Sequence, residues 1–307
     1  MSFDGLIFFF LMLLIGYGVV RLRMVPVSAA DGVSGVLLNI CYPAMVLNTF
    51  LSTEPELLLH TGLPAALATL IVTLLLFFGS LLVLRRQPPS RRAYWCFISG
   101  IGNVAFVAIP LMSIFLPPEA MVVCFIHGAM QDFLIWSIYH SLFLGSAAGG
   151  RRALLRRVLT SPALLAAIAG SLLSAFRLRL LGFLELTVSK ISDMTSPLAL
   201  LLLGMLLYRY GALSWRRDKA AMAFSAGKVL LLPLLLFWPL RCFLELRSAL
   251  LLALLFGSPA PITGVVWCKE YGGDTELAVH CTIASTLLYL LAASAALLAF
   301  RALGLLA

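Results

Sequence analysis

The sequence is poor in charge. Only 11% of its 307 residues are charged, 62% are hydrophobic, and the mean hydropathy is +1.05. So little charge cannot cover a water-facing surface, which excludes a soluble globular domain and leaves a polytopic membrane protein. No stretch is long and polar enough to form a separate soluble domain. There is no G-x-x-x-x-G-K-[ST] loop, no HExxH and no GxSxG, so an ATP-driven pump carrying its own nucleotide site is excluded and no enzyme is expected. Six cysteines, Cys41, Cys96, Cys124, Cys242, Cys268 and Cys281, are scattered without CxxC spacing or a Cys/His cluster. Neither a metal site, a disulfide framework nor any other cofactor is therefore expected. The first apolar run follows Asp4, and Arg21 and Arg23 come after it. A secretory leader has its positive charge first, so this run is expected to be retained as a span.

What is present is apolar length. A span needs about 20 apolar residues, and ten candidates can be marked, at 5–20, 33–51, 62–84, 93–116, 120–146, 158–176, 188–208, 219–240, 248–267 and 275–303. The net charge of +9 lies in short clusters between these runs, which speaks for membrane topology rather than nucleic-acid binding. Of the 22 basic residues, 15 follow odd-numbered spans, in the groups opened by Arg21, Arg85, Arg151, Arg209 and Lys269, and 6 lie on the other side. The odd-numbered loops are expected in the cytoplasm and both termini outside. Five spans in each half is an odd number, so a repeat would be inverted: residues 1–150 form one five-helix unit and 151–307 the other.

Two stretches are badly made for plain spanning helices. In Ser99 to Leu116, Gly100 and Gly102 loosen the backbone, Asn103 brings an amide into hydrocarbon, and Pro110 removes a donor. The second lies about 150 residues on, a repeat-like offset: Phe256 to Trp267, interrupted by Gly257, Ser258, Pro259, Pro261 and Thr263. Helices broken at mid-depth in matching positions of two halves point to a transporter's binding site, where half-helix ends present partial charges to a solute. Spans two and seven also share a proline, in Cys41 to Leu47 and Thr195 to Leu201.

Gly102 to Leu111, GNVAFVAIPL, resembles the GN-x-x-F-x-x-IPL signature of the auxin efflux carrier family, the bacterial relatives of the plant PIN auxin transporters. Pro259 to Cys268, running into Lys269 to Ala278 (KEYGGDTELA), resembles the family's second signature. Asn39 to Asn48, Ser161 to Leu164 and Pro197 to Gly204 match further spans, so the likeness covers nearly the whole chain. It implies an all-α polytopic membrane protein, with ten transmembrane helices in two inverted five-helix repeats and with helices 4 and 9 broken and crossing. It further implies a scaffold from spans one, two, six and seven and a mobile transport domain from the rest. Family substrates are organic anions, auxin in plants and dicarboxylates such as malate or malonate for some bacterial members. The long cytoplasmic loop of the plant proteins is missing, and Thr263 stands where many members have asparagine.

Polar residues at depth are the candidates for function. Asn103 is expected to hydrogen-bond the substrate at the crossover, the alternative being a helix cap. Pro110 and Pro259 shape the break, while Ser258 and Thr263 are either ligands or bonded to their own helix. Lys228 is the one basic residue deep in a span, about 13 Å along the helix from Lys219. It is read as a counter-charge to a carboxylate or as the partner of Asp132. Asp132 is the one acidic residue at depth and the natural carrier of a proton or sodium ion; His127 can also titrate near neutrality. Gln131 shares a face with His127, four residues away. Asn48, on a span the resemblance sets beside the substrate path, completes the set. Tyr139, His140 and the tryptophans read as interface anchors.

The resulting expectation is a secondary transporter of a small organic anion in the plasma membrane, the bacterial inner membrane, paired as a homodimer through its scaffold. The competing readings are an intramembrane enzyme and a passive channel or sensor on the same framework. Only Asp132 among the carboxylates lies at depth to serve an enzyme.

Overall fold

A computed structural model describes residues 2–144, 162–211 and 214–305. The helices are α1 (Ser2–Arg21), α2 (Ala29–Leu51), α3 (Pro55–Val83), α4 (Pro89–Gly100), α5 (Val104–Met112) and α6 (Glu119–Phe143). They continue with α7 (Pro162–Ala175), α8 (Gly182–Tyr210), α9 (Lys219–Arg241), α10 (Leu246–Phe256), α11 (Ile262–Glu270) and α12 (Thr275–Ala302). No strand occurs among the described residues. Six of these helices, α2, α3, α6, α8, α9 and α12, are each long and apolar enough to cross a membrane. Counted as one span bent by 45°, the Arg91–Gly100 part of α4 together with α5 makes a seventh. Among the described residues, the other apolar stretches, Ile7–Arg21 of α1, α7 and α10, are shorter. For α10 the cause is visible, since the helix stops at Gly257 and restarts only after Pro261.

The helices are sided for lipid rather than water. On α3, Leu63, Leu67, Ile71, Leu75, Phe78 and Leu82 are exposed, whereas Ala65, Thr69, Thr73, Phe77 and Ser80 are buried. A helix in water would turn the leucines inward. Hydrocarbon contributes nothing to burying leucine, so small and polar residues face the neighbours, where close packing and hydrogen bonds join the helices. The contact of α1 with α8 follows this rule: a Cβ at Gly16 would overlap the carbonyl of Leu201, and one at Gly204 would overlap that of Leu13.

Proline writes a second local signature. Four π-helical turns, at Leu37–Cys41, Leu58–Gly62, Val104–Ala108 and Gly227–Leu231, each end two residues before a proline: Pro43, Pro64, Pro110 and Pro233. The ring pushes away the carbonyl four residues back and offers no N–H to it, so the preceding turn widens. A fifth such turn, Ile135–Tyr139, has no proline behind it.

Packing divides the helices into two groups. In one, α1 lies on α8 and α2 on α7, with the start of α8 also against α2. In the other, α3 packs on α4 and α6, α9 on α10 and α12, α5 on α6, and α11 on α12. The groups meet where α8 crosses α5, with the hydroxyls of Ser113 and Ser196 3.2 Å apart. Close by, Thr195 donates to the Cys41 carbonyl at 2.9 Å and so joins the two proline-bearing spans.

Candidate functional site

The two interrupted stretches touch at their breaks. α4 ends at Gly100, the chain turns extended at Ile101, and α5 starts after Asn103. Ending a helix in the bilayer strands N–H and C=O groups that need partners. The partners come from three directions. Asn103 N donates to the Pro259 carbonyl at 2.7 Å, so one break binds the other directly. Gln131 of α6 serves both sides of the gap: its Oε1 accepts from Gly102 N at 3.1 Å, and its Nε2 donates to the Gly100 carbonyl at 3.2 Å. Lys228 of α9 donates through Nζ to the carbonyls of Ser99 at 3.1 Å and Ile101 at 3.3 Å.

The second break, from Gly257 to Pro261, contains two prolines and so strands fewer donors. Ala260 N donates to Ser285 Oγ of α12 at 3.0 Å, and that hydroxyl donates in turn to the Cys281 carbonyl of its own helix at 2.5 Å. The breaks approach so closely that a Cβ at Gly102 would overlap Ser258 Oγ, which is why only glycine serves there. Behind them, Gly264 of α11 lies against the rings of Tyr94 and Phe97 on α4.

Two polar side-chain atoms at this contact are buried and have no partner, Asn103 Nδ2 and Ser258 Oγ. The positive N-terminal ends of α5 and α11 face the same region, since both helices begin immediately after the breaks. Thr263 is half-buried in the first turn of α11. Pro110 and Pro259 are both buried, the former behind its π turn and the latter as acceptor for Asn103.

The other sequence candidates stand apart from the breaks or play unexpected parts. Lys228 has no carboxylate partner among the described residues: it caps the carbonyl end of α4, so the pairing with Asp132 is not made. Asp132 is half-buried on α6. His127 is buried on the same helix, its Nδ1 3.1 Å from Thr69 Oγ1, its ring edge-on to Phe256, and its Nε2 without a partner. Asn48 is half-buried on α2, and no hydrogen bond connects it to the breaks. The anchor reading of Tyr139 and His140 is corrected. Both are buried, with Tyr139 donating to the Thr73 carbonyl at 3.3 Å and His140 Nε2 3.1 Å from the Tyr271 hydroxyl. Trp267 is buried in the same aromatic cluster, whereas Trp238 is 72% exposed, as an anchor should be.

Sequence reasoning did not assign roles to Gln131 and Ser285. Gln131 left a trace, a long amide on an apolar helix one turn from His127. Ser285 left none, because a helix hydroxyl bonded to its own preceding turn looks the same in sequence.

A multi-pass helical membrane protein whose two broken helices bind each other is thus the class the geometry defines. Residues 1–297 match the family model described as membrane transport protein. The chain belongs to that family, the auxin efflux carrier and PIN family of membrane transporters. Among curated proteins none matches it significantly.

Proposed function

We propose that the protein is a secondary active transporter of a small organic anion, a carboxylate of the malate, malonate or auxin type, which binds where the two breaks meet. The observation that carries this reading is the pair of orphaned polar groups at that contact, Asn103 Nδ2 and Ser258 Oγ. Leaving a buried donor unpaired costs about 1–3 kcal/mol, and around these two the backbone donors of Gly102, Asn103 and Ala260 have all found acceptors. A carboxylate supplies acceptors to both. The N-terminal ends of α5 and α11 and the protonated form of Lys228 favour an anion. Two of the three N–H bonds of Lys228 are given to Ser99 and Ile101; the third is free for the substrate. Thr263, in the first turn of α11, sets the side of the site, with Pro110 and Pro259 shaping it and Asn48 approaching from α2.

The architecture follows as ten spans in inverted repeats, residues 1–150 and 151–307. Support comes from the packing: the contact of α1 with α8 repeats as that of α7 with α2, α3 with α4 and α6 repeats as α9 with α10 and α12, and α5 with α6 repeats as α11 with α12. Gln131 and Ser285 match as well, each reaching from the fifth span of its half to a backbone N–H of the broken fourth. The group of α1, α2, α7 and α8 is the scaffold, through which two copies pair, and the other group carries the site across as an elevator in the plasma membrane, with both termini outside. Transport runs on an ion gradient or the membrane potential, with Asp132 or His127 carrying a coupled proton.

Charge movement in proteoliposomes on rapid addition of malate, malonate, succinate and indole acetate tests this. Saturable current with one or more of these acids, weakened by Asn103→Ala, is expected. No current from folded protein with any of them would remove the substrate class.

A further inference from the structure

Between the two groups of helices lies an apolar groove of about 780 Å³. One wall is α3 and the other α7, with α6 and the end of α2 as the floor. Small residues leave the space open: Gly62 and Ala66 on α3 and Ala167 and Ser171 on α7, above Ile126 and Met130 on α6. In a membrane, small residues usually bring helices together; here they face a gap. Hydrocarbon has no water to fill it, and an empty gap forfeits the dispersion contacts of its lining. The occupant is therefore apolar. From Pro55 to Leu70 the groove follows α3 for about 22 Å at 1.5 Å per residue. That exceeds the ~15 Å that half of a ~30 Å hydrocarbon core provides, so an acyl chain entering at headgroup level lies in the groove along its whole length.

The mouth carries the headgroup chemistry. Ser174 of α7 donates to the Thr53 carbonyl at 2.7 Å, which draws the end of α7 onto the turn before α3. Just beyond it, Arg177 Nη2 lies 3.3 Å from Glu56 Oε1, with both side chains mostly exposed. An exposed pair of this kind is weakly held, and a guanidinium has five N–H groups to share. One cation beside one carboxylate matches a headgroup with a phosphate beside a primary ammonium: the phosphate accepts from Arg177 and the ammonium donates to Glu56. A choline headgroup has no N–H to give, and a glycerol headgroup brings no cation.

We propose that this groove is a lipid site, filled by an acyl chain of a phosphatidylethanolamine whose headgroup bridges Arg177 and Glu56. Because α7 belongs to one group of helices and α3 and α6 to the other, the bound lipid holds the two groups in the arrangement seen here. Only that effect on movement rests on the elevator reading. The binding itself is read out without transport, so a missing carboxylate current leaves it untouched.

The test is a titration of the purified full-length chain in mild detergent with phosphatidylethanolamine, phosphatidylcholine and phosphatidylglycerol of identical acyl chains, followed by thermal unfolding and native mass spectrometry. The wild type is expected to hold one phosphatidylethanolamine per protomer and to gain Tm saturably with it, by more than with either other lipid. Ala66→Trp fills the groove and is expected to lose both the bound lipid and the shift. Glu56→Gln combined with Arg177→Gln keeps the groove and is expected to take the three lipids alike. If Ala66→Trp does not fold, Ser171→Leu narrows the groove from the opposite wall and takes its place, and the headgroup double variant is read in either case. Equal stabilisation of the wild type by all three lipids, or by none, would overturn the proposal. So would a groove-filled variant that keeps the lipid, or a double variant that keeps the preference. A dimer that holds no lipid and cross-links through Ser171→Cys would assign the groove to a second copy of the chain instead.

Discussion

Gln131 gives the sharpest quantitative prediction. Its amide satisfies two backbone groups that the break leaves stranded, the N–H of Gly102 and the carbonyl of Gly100. Gln131→Leu keeps a similar volume and removes both bonds. Each stranded group then costs about 1–3 kcal/mol, and the flanking glycines permit some relaxation, so a loss of about 2–4 kcal/mol is expected. Gln131→Glu keeps an acceptor for Gly102 and should lose about half as much. The protein carries its own reporter for the measurement, because Cys41, Cys96, Cys124, Cys268 and Cys281 are buried free thiols. With the exposed Cys242 changed to serine, a thiol-reactive dye in an SDS titration follows unfolding. A Gln131→Leu protein within about 0.5 kcal/mol of wild type, the scatter of an indifferent surface change, would refute the claim that the amide's two bonds to the stranded groups stabilise the break.

Three further outcomes are expected. Gly102→Ala should abolish transport because its Cβ meets Ser258 Oγ, and Gly102→Ala with Ser258→Gly should regain the native fold and melting temperature by freeing that space. Gly204→Leu should separate α1 from α8, since even a Cβ at Gly204 overlaps the Leu13 carbonyl; loss of monodisperse protein on size-exclusion chromatography checks this. Asp218 caps α9 through Ala220 N and Ala221 N at 3.0 and 3.1 Å and lies 3.0 Å from His280 Nδ1. Burial pushes its carboxyl up, but the Ala221 amide and His280 outweigh this and hold it below the ordinary value. A carboxylate with a depressed folded-state value stabilises above its unfolded-state value and ceases to as the pH falls through the folded one. Thermal melts from neutrality to below the ordinary 3.8 should therefore lose stability at the acid end, and Asp218→Asn should flatten that loss.

The breaks were legible in sequence because glycine, asparagine and proline inside an apolar run have few other uses. Asn103, Ser258 and Pro259 stand where that reasoning set them, at the meeting of the two breaks. What sequence could not supply was the direction of side chains across the bundle. Lys228 read as a partner for Asp132 because opposite charges at depth invite pairing. Its choice of the Ser99 and Ile101 carbonyls depends on how α9 is rotated against α4. Tyr139 and His140 read as anchors from composition, yet they are turned inward onto Thr73 and Tyr271. The apolar lengths were equally plain, but α10 falls short of a full span, which hydropathy averaged over the break at Gly257–Pro261 does not register.

The most direct test of the central claim is equilibrium binding of the transported carboxylate to purified protein by isothermal titration calorimetry, comparing wild type with Asn103→Ala and Ser258→Ala. Removing a hydrogen bond to a charged group costs about 1.5–3 kcal/mol, so each variant should bind about 10- to 150-fold more weakly while melting near the wild-type temperature. Unchanged affinity in both variants would place the substrate away from the contact of the two breaks and contradict the account.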